Sequence, residues 1–231
     1  MDQVEPWSED QYGDVEVIAW NLDELPRPDS LVWSYLPAHE IEALGRSRTP
    51  GLSRRRLLAR SLLRAVLARR TDTPAPRLEF RKGPHGKPYL PNGPAFNVSH
   101  SGPFCMLALR STGRIGVDLE AIRPSPDLLH VAERYFSPTE WEEIQSKDPN
   151  AVRTFFRTWV RKEAFLKAMG VGLSLPLRAF TVSSQLAPLG TNVLQHIDFP
   201  GESTETWTVC SISAPKGTEA ALAWDSPEED V

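Results

Sequence analysis

The most constraining feature of the sequence is a carboxylate, Glu163, that interrupts the apolar face of a helical segment. Glu163 lies four residues after Trp159 and three before Leu166, so its side chain is expected to face the interior. An unpaired charge there is unfavourable, and an ion pair with Lys167 one turn later is too weak to account for it. The apolar residues recur at helical spacing; they are Val152, Phe155, Phe156, Trp159, Val160, Leu166 and Met169.

A second acidic motif, GVDLE at residues 116–120, is predicted to form a strand. Its apolar residues alternate with Asp118 and Glu120, which places both carboxylates on one face, about 6.5–7 Å apart. Together with Glu163 they would form a hard oxygen site of the kind that Mg²⁺ accepts. Taken alone, however, GVDLE favours a solvated pair of carboxylates at the end of a strand.

The composition is that of a soluble protein with one large or two small domains. The chain has 231 residues and a net charge of −4, which indicates no general affinity for nucleic acid or anionic membrane. Its start is acidic and no apolar run approaches a membrane span, so a cytoplasmic location is expected. Cys105 and Cys210 lie in apolar runs without metal-binding spacing, which favours buried, reduced thiols.

The charge is unevenly distributed, since residues 46–70 contain nine arginines and no acidic residue. Ser53 is predicted to cap a helix here, with leucines facing inward. The N-terminal end and flank of this helix would carry a set of arginines: Arg54, Arg55, Arg56, Arg60 and Arg64. Arginines beside a helix N-terminus favour the binding of phosphate. A solvated arginine-rich face is the alternative interpretation.

The remaining pattern predicts strands mixed with helices. Strands are expected at 15–20, 78–80, 96–98, 104–109, 179–182, 192–199, 206–213 and 220–224, and helices at 37–44, 127–136, from a Ser137–Glu140 capping box, and from Asn150 to Gly170. Residues 111–114 are expected to form a hairpin turn into GVDLE. The tail at 226–231 is expected to fray.

Ser99 and His100 could suggest a hydrolase. They are adjacent in sequence and lack a G-x-S-x-G elbow, so they are poorly placed as nucleophile and base, and we reject this interpretation. His100 is then either a hydrogen-bonded turn residue or a phosphate donor.

Four motifs together resemble the Sfp-type 4′-phosphopantetheinyl transferases. They are Gly-Lys-Pro at 86–88, FNVSHSG at 96–102, GVDLE at 116–120 and WVRKEAFLKAMGVGL at 159–173. The resemblance implies an α+β (α/β) fold with a pseudo-twofold pair of similar lobes, each a small antiparallel sheet packed with a long helix. Residues 1–112 would form the coenzyme A nucleotide and phosphate side, and residues 113–231 the metal and carrier-protein side.

The resemblance also implies an activity. The phosphopantetheine arm of coenzyme A would be transferred to a serine of an apo acyl or peptidyl carrier protein, releasing 3′,5′-ADP. Asp118, Glu120 and Glu163 would bind Mg²⁺ or Mn²⁺, Glu163 would be the base and Lys167 would stabilise the leaving group. The implied coenzyme A contacts are Arg55, Lys87, Pro88, Ser99, His100, Asp118 and Lys167. A monomer is implied, with carrier docking at 127–145 and 170–177.

Two departures from the family pattern affect these expectations. Val160 follows the tryptophan where many members have a small or polar residue. Residues 41–44 lack the lysines of relatives, and Arg46 or Arg48 is the candidate to replace those contacts.

Two other functions compete with the transferase. A non-catalytic coenzyme A or carrier-protein binding module would not need Asp118, Glu120, Glu163 and Lys167 together. Nucleic-acid binding by the arginine helix is disfavoured by its wide apolar stripe, the absence of interleaved aromatic residues and the negative net charge.

Overall fold

The computed structural model describes residues 4–25, 34–46, 50–146 and 149–226, and their architecture is α+β, as predicted. The helices are α1 (Ala38–Gly45), α2 (Pro50–Thr71), α3 (Leu128–Tyr135), α4 (Pro138–Gln145) and α5 (Ala151–Met169). The strands are β1 (Ser8–Tyr12), β2 (Val15–Asn21), β3 (Arg81–Lys82), β4 (Pro88–Tyr89), β5 (Ala95–Ser101), β6 (Phe104–Arg110), β7 (Ile115–Ala121), β8 (Phe180–Val182), β9 (Leu194–Ile197), β10 (Trp207–Ser211) and β11 (Thr218–Asp225).

The N-terminal half is built on a four-stranded antiparallel sheet in the order β1-β2-β6-β5. The apolar stripe of α2 packs on this sheet, with Leu58, Leu62 and Leu67 buried beside Trp20 and Leu107. The leucine spacing of α2 therefore forms the core contact that the sequence predicted.

The C-terminal half has a three-stranded antiparallel sheet, β10-β11-β7, and a separate β8-β9 pair. Helix α5 packs across these strands. Phe165 lies between Phe180 and Trp207, with ring centroids 4.8 and 5.0 Å away. Asn150 and Gly170 flank α5, and Gly170 has the left-handed backbone that commonly ends a helix, so both predicted bounds are confirmed.

The edge strands of the two sheets, β5 and β7, lie side by side and are joined through side chains. The amides of Val117, Leu119 and Ala121 on β7 donate to three polar side chains of β5. The acceptors are Asn97 Oδ1 at 2.9 Å, Ser99 Oγ at 3.2 Å and Ser101 Oγ at 3.0 Å. These bonds satisfy buried donors on an edge strand that would otherwise lack partners.

Helix α5 crosses β7 at very short distance over Gly116. A Cβ at this glycine would lie 2.1 Å from the carbonyl oxygen of Ala164 and 2.3 Å from the amide of Ala168. Both are backbone atoms, so no side-chain rotation could make room. Only glycine therefore permits this approach of the two elements.

A fully buried ion pair anchors α5 to α4. Lys162 Nζ lies 2.6 Å from Glu140 Oε1 and also donates to the carbonyl of Phe180. Burial lowers the pKa of Lys162 to about 8, against the raising effect of the Glu140 charge. Glu140 also forms the predicted capping box with Ser137 and accepts a hydrogen bond from the amide of Val182, so one carboxylate holds together two helices and the end of β8.

Some predicted local structures are wrong. The strand expected at 78–80 lies instead at Arg81–Lys82, where it pairs with Pro88–Tyr89. Residues 111–114 do not close a hairpin, because β6 pairs with β2 and β5 whereas β7 pairs with β11. Ser53 lies inside α2 rather than at its N-cap, since the helix begins at Pro50.

Of the five arginines predicted at the entry and flank of α2, Arg64 is available neither to a phosphate nor to solvent. Arg64 is buried, and it binds Glu40 Oε1 at 2.6 Å and the carbonyl of Leu78 at 3.0 Å. Arg60 binds the same carboxylate, so Glu40 ties α1 to α2 and its pKa is lowered to about 2 against the opposing effect of burial. Arg48 and most of the acidic tail lie outside the described residues.

Cys105 and Cys210 are free and buried, as predicted, and burial raises the pKa of each thiol to about 12. Among the described helices, none combines the length and apolar character needed to cross a bilayer.

We predict that Gly116→Ala lowers the free energy of unfolding by about 3 kcal/mol or more, because the new methyl group must push α5 away from β7. Urea denaturation would measure this change. Gly51→Ala is the matched control, since its Cβ would meet nothing within 4 Å and alanine favours the helix. Equal stability of the Gly116 variant and wild type would contradict the close packing.

Candidate active site

The strand β7 positions the two predicted carboxylates at the junction of the two sheets. Asp118 is buried and its Oδ1 receives a hydrogen bond from Ser99 Oγ at 3.0 Å. Glu120, two residues on, accepts from Ser101 Oγ at 2.9 Å. The alternation of β7 therefore places both carboxylates toward β5, as its period of two predicts.

Helix α5 places a cation directly on this pair. Lys167 Nζ lies 2.6 Å from Asp118 Oδ1 and also donates to Ser99 Oγ at 3.1 Å and to the carbonyl of Val117 at 3.2 Å. The sequence indicated Glu163 as its local partner. The structure instead gives Lys167 a partner from another element, which the crossing at Gly116 brings within reach.

Glu163 faces the same group of charges, one turn before Lys167. Burial raises its pKa, the Asp118 charge raises it further, Lys167 lowers it and Glu120 raises it slightly. The pKa of Glu120 is raised by burial and by Asp118, against Ser101, Lys167 and Arg123. The three carboxylates thus repel one another in a poorly solvated region, where additional positive charge would be stabilising.

The donor set fits a hard divalent cation. Asp118 Oδ2 is buried without a hydrogen-bond partner, so it is a free acceptor at the centre of the group. All three side chains offer carboxylate oxygen, which Mg²⁺ prefers. In the described parts of the chain, no three acidic, histidine or cysteine side chains are arranged closely enough to hold a metal. To bind a metal ion, the three carboxylates would therefore have to move closer together. Lys167 would also have to give up part of its contact with Asp118.

A cavity of about 260 Å³ opens beside these residues. Its lining brings together Lys87, Pro88, Glu163 and Lys167, which come from β4, the turn before it, and α5. The Gly-Lys-Pro turn and the α5 motif therefore form one concave surface, although they are far apart in sequence.

Lys87 and Arg55 are held by other groups in this structure. Lys87 Nζ donates to the carbonyls of Ile115 at 2.7 Å and Ala168 at 3.0 Å, and burial lowers its pKa to about 8. Arg55 forms a two-bond pair with Asp23, at 3.0 and 2.6 Å. Both cations would have to change partners to contact a phosphate directly.

His100 is exposed on the face of β5 opposite Ser99 and Ser101. Ser99 is one of the predicted site residues, whereas Asn97 and Ser101 are not among them. The sequence pattern that indicates them is N-x-S-x-S at residues 97–101, because small polar residues on the buried face of a strand need hydrogen-bond partners.

Comparison with known proteins gives the family of this chain. Two family models match the chain: one described as the 4′-phosphopantetheinyl transferase superfamily over residues 114–221, and one as the N-terminal part of 4′-phosphopantetheinyl transferases over residues 26–112. HetI of Nostoc, named a 4′-phosphopantetheinyl transferase, is 34% identical over 168 residues, covering 69% of this chain and 70% of HetI. The chain belongs to the 4′-phosphopantetheinyl transferase family.

Other members of this transferase family match over different lengths. A Synechocystis protein assigned provisionally to the same activity is 34% identical over 84% of this chain and 80% of its own length. Sfp of Bacillus subtilis is 38% identical over 55% of this chain and 57% of Sfp. A solved structure of Thermotoga maritima holo-[acyl-carrier-protein] synthase covers 51% of this chain and 66% of its own, with 20% identity and a TM-score of 0.36.

We predict that Glu163→Gln raises the midpoint temperature of thermal unfolding of the metal-free protein at pH 7 by about 1–3 °C. The folded-state pKa of Glu163 is raised, so ionising it destabilises the folded protein as pH rises through and above the unfolded value. The increase in midpoint temperature should therefore disappear at a pH below the ordinary pKa range of carboxyl groups.

Calorimetric scans in EDTA at pH 7 and at low pH would measure both effects. Glu133→Gln on α3 is the matched control, because its side chain is exposed. A Glu163→Gln variant less stable than wild type at pH 7 would contradict the proposed repulsion.

Proposed function

We propose that this protein transfers the 4′-phosphopantetheine arm of coenzyme A to a serine hydroxyl of an apo acyl or peptidyl carrier protein. The serine oxygen forms a bond to the phosphorus that bears the pantetheine arm. The bond from that phosphorus to the nucleotide oxygen breaks, and 3′,5′-ADP leaves. The observation that best supports the proposal is the convergence of Asp118, Glu120, Glu163 and Lys167 at one face of the β5–β7 junction.

Glu163 is proposed as the group that receives the serine proton, directly or through water. Its pKa is raised by burial and by Asp118, which brings it closer to the value that suits a base near neutral pH. Lys167 is proposed to stabilise the negative charge that grows on the departing nucleotide. The hydroxyl groups of Ser99 and Ser101 hold the β7 carboxylates in position for this step.

We propose that Asp118, Glu120 and Glu163 hold a Mg²⁺, with Mn²⁺ as the alternative, which when bound neutralises the diphosphate of coenzyme A. The free Asp118 Oδ2 supports this assignment. Arg55, once released from Asp23, and the exposed His100 are proposed to contact the phosphates of the nucleotide, together with Ser99. Lys87 and Pro88 are proposed to shape the cavity wall, because the Lys87 ammonium is bound to two carbonyls.

The division of labour between the two halves is also a proposal. Residues 1–112 would hold the nucleotide and residues 113–231 the metal and the carrier protein. This is supported by the separate sheets and by family models that meet between residues 112 and 114. With both halves in one chain, we propose a monomer, and the two reduced, buried cysteines are consistent with a cytoplasmic location.

The deciding experiment is intact-mass spectrometry of an apo carrier protein incubated with this protein, coenzyme A and Mg²⁺. We predict a mass gain of one phosphopantetheine group, which EDTA abolishes. Lys167→Ala should lower kcat by about 100- to 1,000-fold, the usual effect of removing a group that stabilises transition-state charge. Arg69→Gln, on the exposed end of α2, should leave kcat unchanged.

No mass gain across several carrier types, with coenzyme A still bound, would favour the alternative of a non-catalytic coenzyme A or carrier-protein binding module. Undiminished kcat in Lys167→Ala would remove the proposed role of this lysine while leaving the transferase activity intact.

We propose that the carrier protein docks on α3 and the segment 170–177. Leu129 and Tyr135 on α3 expose 43% and 47% of their surfaces, which suits an apolar contact. Leu129→Glu is predicted to raise KM for the carrier about fivefold or more, with KM for coenzyme A unchanged. Leu52→Glu on α2, similarly exposed, is the matched control. Equal effects of both substitutions would contradict docking on α3.

A further inference from the structure

Helix α5 carries a second row of charge on a face separate from Glu163 and Lys167. Arg153, Arg157 and Arg161 are spaced four residues apart and so lie along one side of the helix. They line a cavity of about 900 Å³, closed by residues 184–189 after β8 and residues 211–219 around the β10–β11 turn. This cavity shares no lining residue with the one beside Glu163.

Arg161 is a buried cation without a carboxylate in direct contact. Its guanidinium donates to the carbonyls of Ser183 and Gln185 and to Ser211 Oγ, which are all neutral acceptors. Burial and the neighbouring charge of Arg157 lower its pKa to about 10. Within the part of the chain that the structure describes, no acidic side chain lies within ion-pair distance of Arg161.

Arg153 and Arg157 share a single carboxylate. Glu219 Oε1 lies 2.6 Å from Arg153 Nε, whereas Glu219 Oε2 is 3.8 Å from Arg157 Nε. Arg157 is itself buried, and its Nη1 donates to the carbonyl of Ser184 at 3.1 Å. The guanidinium of Arg157 is therefore buried, hydrogen-bonded to one carbonyl and only weakly neutralised.

The cavity consequently has more positive than negative charge. Lys216 adds a fourth cation to its lining, and Glu143, bound to the Ser184 amide at 2.8 Å, is the second carboxylate nearby. Buried cations in proteins are normally paired with anions, because desolvation of an unpaired charge is costly. Because four cationic side chains outnumber two carboxylates, an anionic ligand in this cavity would be stabilised electrostatically.

We propose that this cavity is a second anion-binding site, which takes the phosphate or diphosphate group of a small organic molecule. The planar guanidinium of Arg157, backed by Arg161, presents donors in the fork geometry that suits phosphate oxygens. Leu186 and Leu189, which expose 83% and 57% of their surfaces, line the same cavity and provide an apolar contact for the organic part of the ligand.

Titration calorimetry with inorganic pyrophosphate tests the site. All variants are made in an Arg55→Gln background, which is expected to weaken binding at the proposed coenzyme A site, since Arg55 is proposed there to contact a phosphate. In that background Arg157→Gln is expected to bind pyrophosphate about tenfold more weakly or worse, as expected for loss of a charge-assisted fork. Arg69→Gln, an exposed arginine outside the cavity, is expected to bind unchanged.

If Arg157→Gln unfolds, Arg153→Gln replaces it, since the Arg153 side chain is 59% exposed and its removal leaves the core intact. Unchanged affinity in a folded Arg157 or Arg153 variant would overturn the proposal. So would the absence of pyrophosphate binding in the Arg55→Gln background. Neither result bears on phosphopantetheine transfer, which the mass-spectrometric experiment measures separately.

Discussion

The close crossing of α5 over β7 at Gly116 is the contact on which the candidate active site depends. Without a side chain at this position, the backbone of α5 lies against the strand, with Ala164 and Ala168 as its nearest groups. Lys167 lies between these two alanines in sequence and is therefore brought to Asp118 at 2.6 Å. A side chain at position 116 would push α5 away from β7 and so disturb the contact between Lys167 and Asp118. The packing requirement and the chemical requirement are thus met by one glycine.

The electrostatics of this site oppose the stability of the free protein. Asp118, Glu120 and Glu163 lie in a poorly solvated region, and burial together with mutual repulsion raises the pKa of both glutamates. Lys167 relieves part of this repulsion through Asp118. A cation bound among these carboxylates would reduce their mutual repulsion and so stabilise the folded protein. The hydroxyl groups of Ser99 and Ser101 on β5 orient Asp118 and Glu120 through hydrogen bonds.

Sequence periodicity predicted the parts of this structure that depend on local spacing. It located α5 between Asn150 and Gly170 and placed Asp118 and Glu120 on one face of β7. It failed where a residue's partner comes from elsewhere in the chain. Arg64 is buried because Glu40 on another helix neutralises it, and residues 111–114 form no hairpin because β7 pairs with the distant β11. These contacts depend on tertiary packing and leave no periodic signal.

The same helix also shows how a fold can keep two charged regions apart. Residues two apart on a helix point in widely different directions, so Arg161 and Glu163 face different surroundings although they are close in sequence. Between them Lys162 is buried against Glu140, which fixes the rotation of α5 about its axis. Because this ion pair sets the rotation of α5, it determines which side chains meet the carboxylates of β7 and also which side chains line the arginine-lined cavity. A change in that rotation would therefore disturb both charged regions at once.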